Sequence, residues 1–179
     1  PHNIVVGEKL KDGGRSETLQ TIVKYIDFGI SSKILRESTS SVSPGKLEGT
    51  LAYMSPEQTG RMNRAVDYRS DFYSLGVTFY EMLYGRVPFP GEDPMEVVHN
   101  HIARDVEFPD VSAAGETVPT VLIAIFARLL AKTAEDRYSS AYGLRSDLER
   151  CHRELAENGS ISEFPIGEQD FSDIFQIPQ

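Results

Sequence analysis

The segment 69–84 constrains the fold more than any other part of the sequence. Its central residues 71–83 have the sequence Asp-Phe-Tyr-Ser-Leu-Gly-Val-Thr-Phe-Tyr-Glu-Met-Leu, which places apolar side chains on nearly every side of a helix. A helix that is apolar all round is stable only when other elements surround it. Gly85 and Pro88 follow it and are typical stop signals. We therefore expect a central helix around which the rest of the chain packs.

Three further helices are predicted. The helix 93–104 is predicted from a proline at its first helical position. The helices 120–131 and 140–156 are predicted from apolar residues three and four positions apart. Residues 106–119 are expected to form a loop. Asn158 and Gly159 end the last helix, and the acidic segment 158–179, which contains two prolines, is expected to link this domain to a following one.

A β-hairpin is predicted at the start of the chain. Two apolar, β-branched runs, 3–6 and 21–26, flank a turn signal at residues 12–14, and the predicted strands cover 3–9 and 19–26. With the turn near residue 15, residues whose numbers sum to about 30 lie opposite each other. Asn3 would then lie beside Asp27 at the open end of the hairpin.

Composition excludes several classes of function. The 179 residues include 18 basic and 27 acidic side chains, so the formal charge is −9. A domain this anionic does not bind nucleic acid or an anionic membrane through a broad basic surface. No apolar run is long enough to span a membrane, and a single cysteine, Cys151, is typical of a reduced, cytoplasmic protein.

Four motifs follow one another in the order that a known family requires. They are Asp27-Phe28-Gly29 after an apolar strand, Gly49-Thr50-Leu51-Ala52-Tyr53-Met54-Ser55-Pro56-Glu57, Asp71-Phe72-Tyr73-Ser74-Leu75-Gly76, and Asp136-Arg137. A lone Asp-Phe-Gly is weak evidence, but all four in this order are specific. The sequence resembles the larger, C-terminal lobe of a eukaryotic-type protein kinase. The resemblance implies an α+β fold that is mostly helical with a short β-hairpin and lacks the N-terminal lobe, with the lobe over 1–157.

The resemblance assigns a nucleotide site to the N-terminal residues. It implies that Asp27 holds Mg²⁺ between the phosphates of ATP and that Asn3 ligates a second Mg²⁺, because Mg²⁺ prefers hard oxygen ligands. His2 would contribute its backbone near the ribose. Val5 would form the floor under the adenine, and Ile26 would border the phosphate end of the pocket. The alternative is a polar pair, Asn3 and Asp27, that merely ends a hairpin.

Residues 27–57 resemble an activation segment. Phe28, in the Asp-Phe-Gly motif that ends at Gly29, corresponds to the residue whose placement in the structure distinguishes active from inactive kinases. Thr50, in the pattern Gly-Thr-x-x-Tyr, matches serine/threonine kinases, whose threonine hydroxyl helps to place the acceptor alcohol. Ser55 replaces the alanine of the family motif, and we expect this change to be tolerated at the surface.

Three more residues receive structural roles from the resemblance. Glu57 and Arg137 are expected to meet in a buried, bidentate ion pair, since the planar guanidinium matches a carboxylate. Asp71 is expected to cap backbone amides of the catalytic loop from the start of the central helix.

His99 and His101 are two positions apart, so on a helix they point apart and make a poor metal site.

The implied function is part of a serine/threonine protein kinase domain, which transfers the phosphoryl group of ATP to protein hydroxyls with Mg²⁺. The Gly-rich loop, the strand lysine and the His-Arg-Asp aspartate are missing from the sequence. We therefore expect the chain to be incomplete and inactive alone, and to need an N-terminal lobe.

A closer resemblance suggests an alternative. Gly60-Arg61-Met62-Asn63-Arg64 and the run from Ala131 to Tyr138 look like the kinase-like domain of large hybrid sensor histidine kinases, in which ATPase-like and histidine kinase regions follow. The chain could then be a pseudokinase or scaffold module of a multidomain phosphorelay protein in signal transduction. Retention of Asn3, Asp27 and Thr50 favours the enzyme. An unrelated helical binding domain would have to match the motif order by chance.

Overall fold

The computed structural model describes the backbone of residues 4–11 and 18–25, and backbone and side chains of residues 51–171. The chain divides into two compact units, Pro1–Ser38 and Thr39–Gln179. The first unit contains the β-hairpin and the second contains the helices.

The hairpin forms as predicted, with its register shifted by one residue. Strands β1 (Ile4–Lys11) and β2 (Thr18–Tyr25) pair antiparallel, with Ile4 opposite Tyr25. The expected register would have placed Ile4 opposite residue 26, so the observed pairs are offset from it by one residue. Asn3 and Asp27, whose proximity the hairpin argument predicts, lie outside the described residues.

All four predicted helices are present, and their ends lie within two residues of the predicted ones. They are α1 (Arg69–Tyr84), α2 (Pro94–Ala103), α3 (Thr120–Leu129) and α4 (Ala141–Asn158). Short 3₁₀ turns cover Leu51–Tyr53, Pro56–Thr59 and Ala134–Asp136. No helix in the described residues is both long enough and apolar enough to cross a bilayer.

Local signals explain where the helices begin and end. The Asp93 side chain accepts a hydrogen bond from the Met95 amide at 2.9 Å at the start of α2, and Ser140 accepts one from the Gly143 amide at 3.0 Å at the start of α4. Helix α1 ends at Gly85, whose φ of +69° is easily adopted only by a residue without a β-carbon.

The central helix α1 packs against α3 through a close approach at Gly76. A β-carbon built on Gly76 would lie 2.8 Å from the Leu129 β-carbon. One face of α1 is fully buried at Tyr73 and Val77. A second apolar cluster joins Ile125 of α3 to α4.

The expectation that α1 is buried on every side is correct for one face only. Met82 is 65% exposed, and Leu75 and Phe79 are half-buried. These two residues line a groove of about 310 Å³ whose other wall is α4, including Leu144 and Leu148. The described helices therefore cover α1 from the side of α3 and leave this strip accessible.

Residues 160–171, which we call the strap, lie against α3 and α4. Ile161, Phe164 and Ile166 of the strap pack on the apolar cluster around α3. The Arg150 guanidinium lies 4.0 Å from the centre of the Phe164 ring. The strap is thus part of the packed helical unit. That residues 158–179 link the lobe to a following domain stays a prediction.

Candidate functional site

The structure describes four of the predicted site residues. Val5 lies in β1 opposite Lys24, and Glu57, Asp71 and Arg137 lie in the helical unit. The other predicted site residues lie outside the described part of the chain: His2, Asn3, Ile26, Asp27, Phe28, Gly29 and Thr50.

The segment 51–59, which follows Thr50, is fastened to α1. The Tyr53 hydroxyl donates a hydrogen bond to Glu81 Oε2 at 2.6 Å, and the Ser74 hydroxyl donates one to the Tyr53 carbonyl oxygen at 2.8 Å. Burial, together with the neighbouring Glu81 carboxylate, raises the pKa of Tyr53 to about 12. The tyrosine of the Gly-Thr-x-x-Tyr pattern therefore anchors this segment.

Ser55 is fully buried, so the expectation of a surface position was wrong. Its amide and its hydroxyl both donate hydrogen bonds to Gln58 Oε1, each at 3.0 Å. A buried hydroxyl is tolerated when it has a partner. The serine therefore fits this place because Gln58 lies three residues further on.

Glu57 and Arg137 form a buried, bidentate ion pair. Nη1 of Arg137 lies 2.7 Å from Oε1 of Glu57, and Nη2 lies 2.8 Å from Oε2. The Arg137 side chain is 0% exposed and the Glu57 side chain is 3% exposed. The Ser70 hydroxyl adds a third hydrogen bond to Oε1 at 2.6 Å. The geometry expected from the sequence is therefore present over a separation of 80 residues.

The remaining donors of Arg137 are also satisfied. Nε donates to the Ala131 carbonyl at 2.8 Å, Nη1 to the Arg69 carbonyl at 2.9 Å, and Nη2 to the Lys132 carbonyl at 3.3 Å. The guanidinium also lies 5.0 Å from the centre of the Tyr73 ring. A buried ion pair is stable only when its other hydrogen-bonding groups have partners, and this one meets that condition.

Burial and hydrogen bonding act in opposite directions on the pKa of Glu57. Burial alone would raise this pKa, but hydrogen bonds from Arg137 and Ser70 lower it from 4.5 to about 2. Glu57 is therefore ionised at neutral pH, and it holds the 3₁₀ turn 56–59 against the loop that precedes α4.

Asp71 lies in the first turn of α1 and is exposed. Partial desolvation raises the pKa of its carboxyl. Within the described residues no side chain or amide donates a hydrogen bond to that carboxylate. Its capping of a catalytic loop stays a prediction.

His101 is a buried residue whose role the sequence did not reveal. Its Nδ1 lies 2.9 Å from the Tyr73 hydroxyl, and its ring packs edge-on against Phe89 at 5.1 Å. Burial and the nearby Lys132 charge lower the pKa of His101 to about 4, although the Leu51 and Ala52 backbone opposes this shift. His101 thus joins α2 to Tyr73 of α1 and to Phe89.

Lys132 supports the same corner of the molecule. Its Nζ donates hydrogen bonds to the carbonyl oxygens of His101 at 3.0 Å and Asn100 at 3.3 Å, which lie near the C-terminal end of α2. Burial lowers the pKa of Lys132 to about 8.

A depression of about 100 Å³ lies beside the turn 51–53. Its lining is partly apolar and includes Leu51, Ala52, Phe89, Val97 and Glu92. No cluster of three or more histidine, cysteine, aspartate or glutamate side chains suited to a metal ion occurs in the described part of the chain.

Comparison with known proteins identifies the family. The protein kinase domain model matches residues 1–148. The chain belongs to the protein kinase family. This kinase chain has an α+β fold that corresponds to the larger, C-terminal lobe, mostly helical with a short β-hairpin.

Two kinds of relative match this kinase chain. Serine/threonine-protein kinase PknB of Mycobacterium tuberculosis is 36% identical over 163 residues, which are 91% of this chain and 25% of that protein. Hybrid signal transduction histidine kinase G of Dictyostelium discoideum is 48% identical over 107 residues, which are 60% of this chain and 3% of that protein. The chain thus spans at most about a quarter of the length of these relatives.

Proposed function

We propose that this chain is the larger lobe of a serine/threonine protein kinase, which transfers the phosphoryl group of ATP to hydroxyl groups of a protein substrate with Mg²⁺. The observation that carries the proposal is the buried Glu57–Arg137 pair, because it fixes the segment 51–59 directly after Thr50. Similarity to the serine/threonine kinase PknB over most of the chain supports the same function.

In this proposal the N-terminal residues handle the nucleotide. Asp27 and Asn3 would supply carboxylate and amide oxygens to Mg²⁺, which would neutralise charge on the phosphates of ATP. Val5, His2 and Ile26 would border the adenine, the ribose and the phosphates. Because ATP is the donor, we expect the reaction to take place in the cytoplasm.

The protein substrate would bind on the side of the segment 51–59. Thr50 would help to place the acceptor hydroxyl, and the partly apolar depression at Leu51 and Phe89 would receive an apolar side chain of the substrate. The chemistry also needs a base, a phosphate-binding lysine and a Gly-rich loop. None of these motifs occurs in the sequence, so we expect transfer only when an N-terminal lobe and a catalytic loop are joined to this chain.

The test is ATP-dependent phosphate incorporation by the longest natural protein that contains this chain. Serine- and threonine-containing protein substrates would be offered with radiolabelled ATP and Mg²⁺. Asp27→Asn is expected to reduce incorporation about a hundredfold or more, because the metal loses a charged ligand. His99→Gln, on the exposed side of α2, is the control. Equal incorporation by the unmodified protein and Asp27→Asn would exclude the proposed kinase activity.

A second function is favoured by the 48% identity to a hybrid signal transduction histidine kinase. In this case the lobe would be a pseudokinase or scaffold module of a multidomain protein with ATPase-like and histidine kinase regions. Two measurements separate the kinase from the scaffold. A scaffold would incorporate no phosphate on serine or threonine of the substrate. Substitutions that unfold the lobe would still change histidine autophosphorylation of the scaffold's parent protein.

A further inference from the structure

Asp170 is the main polar attachment of the strap. Its carboxylate accepts hydrogen bonds from the amides of Ser139 at 2.9 Å and Ser140 at 2.9 Å, and from both serine hydroxyls at 3.0 Å. Nη2 of Arg128 lies 2.8 Å from Oδ2 of Asp170. The Asp170 side chain is 1% exposed. A linker that merely follows a domain needs no buried carboxylate of this kind.

The strap makes a second attachment at Gly167. The Gly167 amide donates a hydrogen bond to Asp147 at 2.8 Å, and the same Asp147 oxygen accepts one from the Tyr138 hydroxyl at 2.6 Å. Gly167 has a φ of +77°, and a β-carbon there would lie 1.7 Å from Nη1 of Arg128. This site therefore accepts only glycine without rearrangement.

Both attachments converge on residues 138–140, which directly follow Arg137. Arg128 links them, because its guanidinium lies 4.4 Å from the centre of the Tyr138 ring while it pairs with Asp170. On the opposite side, the Tyr68 hydroxyl donates a hydrogen bond to the Ser139 carbonyl at 2.8 Å. Residues 138–140 are thus held between the start of α1 and the strap.

We propose that the strap positions Arg137 and thereby maintains the ion pair between Arg137 and Glu57. In this proposal Asp170 is a positioning residue for the segment 51–59. When the strap detaches, the Ser139 and Ser140 amides lose their acceptor, residues 138–140 are no longer held, and the backbone that carries Arg137 can shift.

The sensitivity of the ion pair makes this coupling effective. A buried bidentate pair compensates its desolvation only in good geometry, so a small displacement of Arg137 weakens it strongly. A segment remote in sequence would then control how firmly Glu57 holds the turn 56–59. The inference rests on these contacts alone, and it holds whether or not the chain takes part in phosphoryl transfer.

The test compares two ways of detaching the strap in the 179-residue chain. Asp170→Asn removes the charge with little change in shape, and Gly167→Ala pushes the strap away from Arg128. Gln169→Ala, at an exposed neighbouring position of the strap, is the matched control. The readouts are hydrogen exchange of backbone amides and the NMR signal of the Arg137 Nε–H, which donates to the Ala131 carbonyl.

Both detaching variants are expected to speed exchange at least about tenfold at the Gln58 and Gly60 amides, which donate hydrogen bonds to the Ser55 and Glu57 carbonyls across the 3₁₀ turn 56–59. They should also broaden or shift the Arg137 Nε–H signal, and Gln169→Ala should change neither. Val118→Ala leaves a cavity at a buried residue of the apolar cluster that contains Val77 and Tyr84 of α1, so it reports the effect of general destabilisation. The proposal is overturned if exchange rises only within 139–171, or if Gln58 and Gly60 respond no more than they do in Val118→Ala.

Discussion

At the scale of single residues, two buried ionisable groups both make the fold less stable in acid, each in its own pH range. Glu57 is ionised and paired, so its pKa lies below the ordinary carboxyl value. His101 is neutral and desolvated, so its pKa lies below the ordinary imidazole value of 6.5. Because both pKa values are lowered in the folded chain, both groups cost stability as pH falls, His101 between 6.5 and about 4 and Glu57 between 4.5 and about 2.

Glu57→Gln is expected to cost about 3–5 kcal/mol of unfolding free energy at neutral pH, because it leaves the Arg137 charge buried without its counter-charge. Because the folded pKa of Glu57 is lowered from 4.5 to about 2, its stabilisation is complete above pH 4.5 and is lost as pH falls toward 2. Urea unfolding across this range should show a steeper loss for the unmodified chain than for Glu57→Gln.

The double variant Glu57→Gln/Arg137→Met is the control for this prediction. It should be less unstable than the sum of its single variants by at least about 1 kcal/mol, because the unpaired charge is gone. Additive effects, or equal acid sensitivity with and without Glu57, would show that the pair does not stabilise the lobe.

His101→Gln is expected to remove a different part of the pH dependence. The neutral form is favoured in the folded chain, so His101 lowers stability as pH falls from 6.5 toward 4. The variant should flatten the stability profile in that window, at a cost of about 1–2 kcal/mol above it from weakened contact with Tyr73. His99→Gln, at an exposed position of the same helix, should retain the unmodified profile. A flat profile in the unmodified chain would contradict the prediction.

At the scale of elements, sequence reasoning succeeded where the signal is local. The apolar segment 69–84 and the stop at Gly85 predict α1 to the residue. The start of α2 at Asp93 and Pro94 follows from capping and proline geometry alone. Such signals involve neighbours within one helical turn, so they can be found without knowledge of the tertiary structure.

The sequence was less informative where the partner is remote. Nothing near His101 distinguishes it from His99, since its burial depends on Tyr73 and Phe89 from other parts of the chain. Ser55 was assigned to the surface because the sequence does not show that the Gln58 side chain accepts a hydrogen bond from the Ser55 hydroxyl. The Glu57–Arg137 pair was predicted across a long separation only through the family resemblance.

Gly76→Ala tests the contact between α1 and α3. Alanine alone would favour a helix by up to about 1 kcal/mol, but its β-carbon would lie 2.8 Å from the Leu129 β-carbon, which cannot rotate away. We expect a net loss of about 1–2 kcal/mol of unfolding free energy by chemical denaturation. Met82→Ala, at a 65% exposed position of α1, should stay within about 0.5 kcal/mol. Stabilisation by Gly76→Ala would show that the helices can separate at little cost.

At the scale of the whole molecule, the family match ends earlier than the packed structure. The protein kinase domain model covers residues 1–148, and helix α4 ends at Asn158, yet the strap continues along α3 and α4 to Phe171. The acidic, proline-containing composition of 158–179 does not report that residues 160–171 pack on the helices, and that 158–179 links the lobe to a following domain stays a prediction. The apolar residues of the strap find partners that only the folded helices provide.

Shortening the chain tests whether the strap stabilises the lobe or only follows it as a linker. A chain that ends at Asn158 loses the partly buried Ile161, Phe164 and Ile166, together with the acceptor of the Ser139 and Ser140 amides. We expect it to lose about 3 kcal/mol or more of unfolding free energy, and its Tm to fall by about 5–10 °C. A chain that ends at Phe171 keeps every described strap contact and should match the 179-residue chain in calorimetry. Equal Tm values for all three lengths would mean that the strap does not stabilise the lobe.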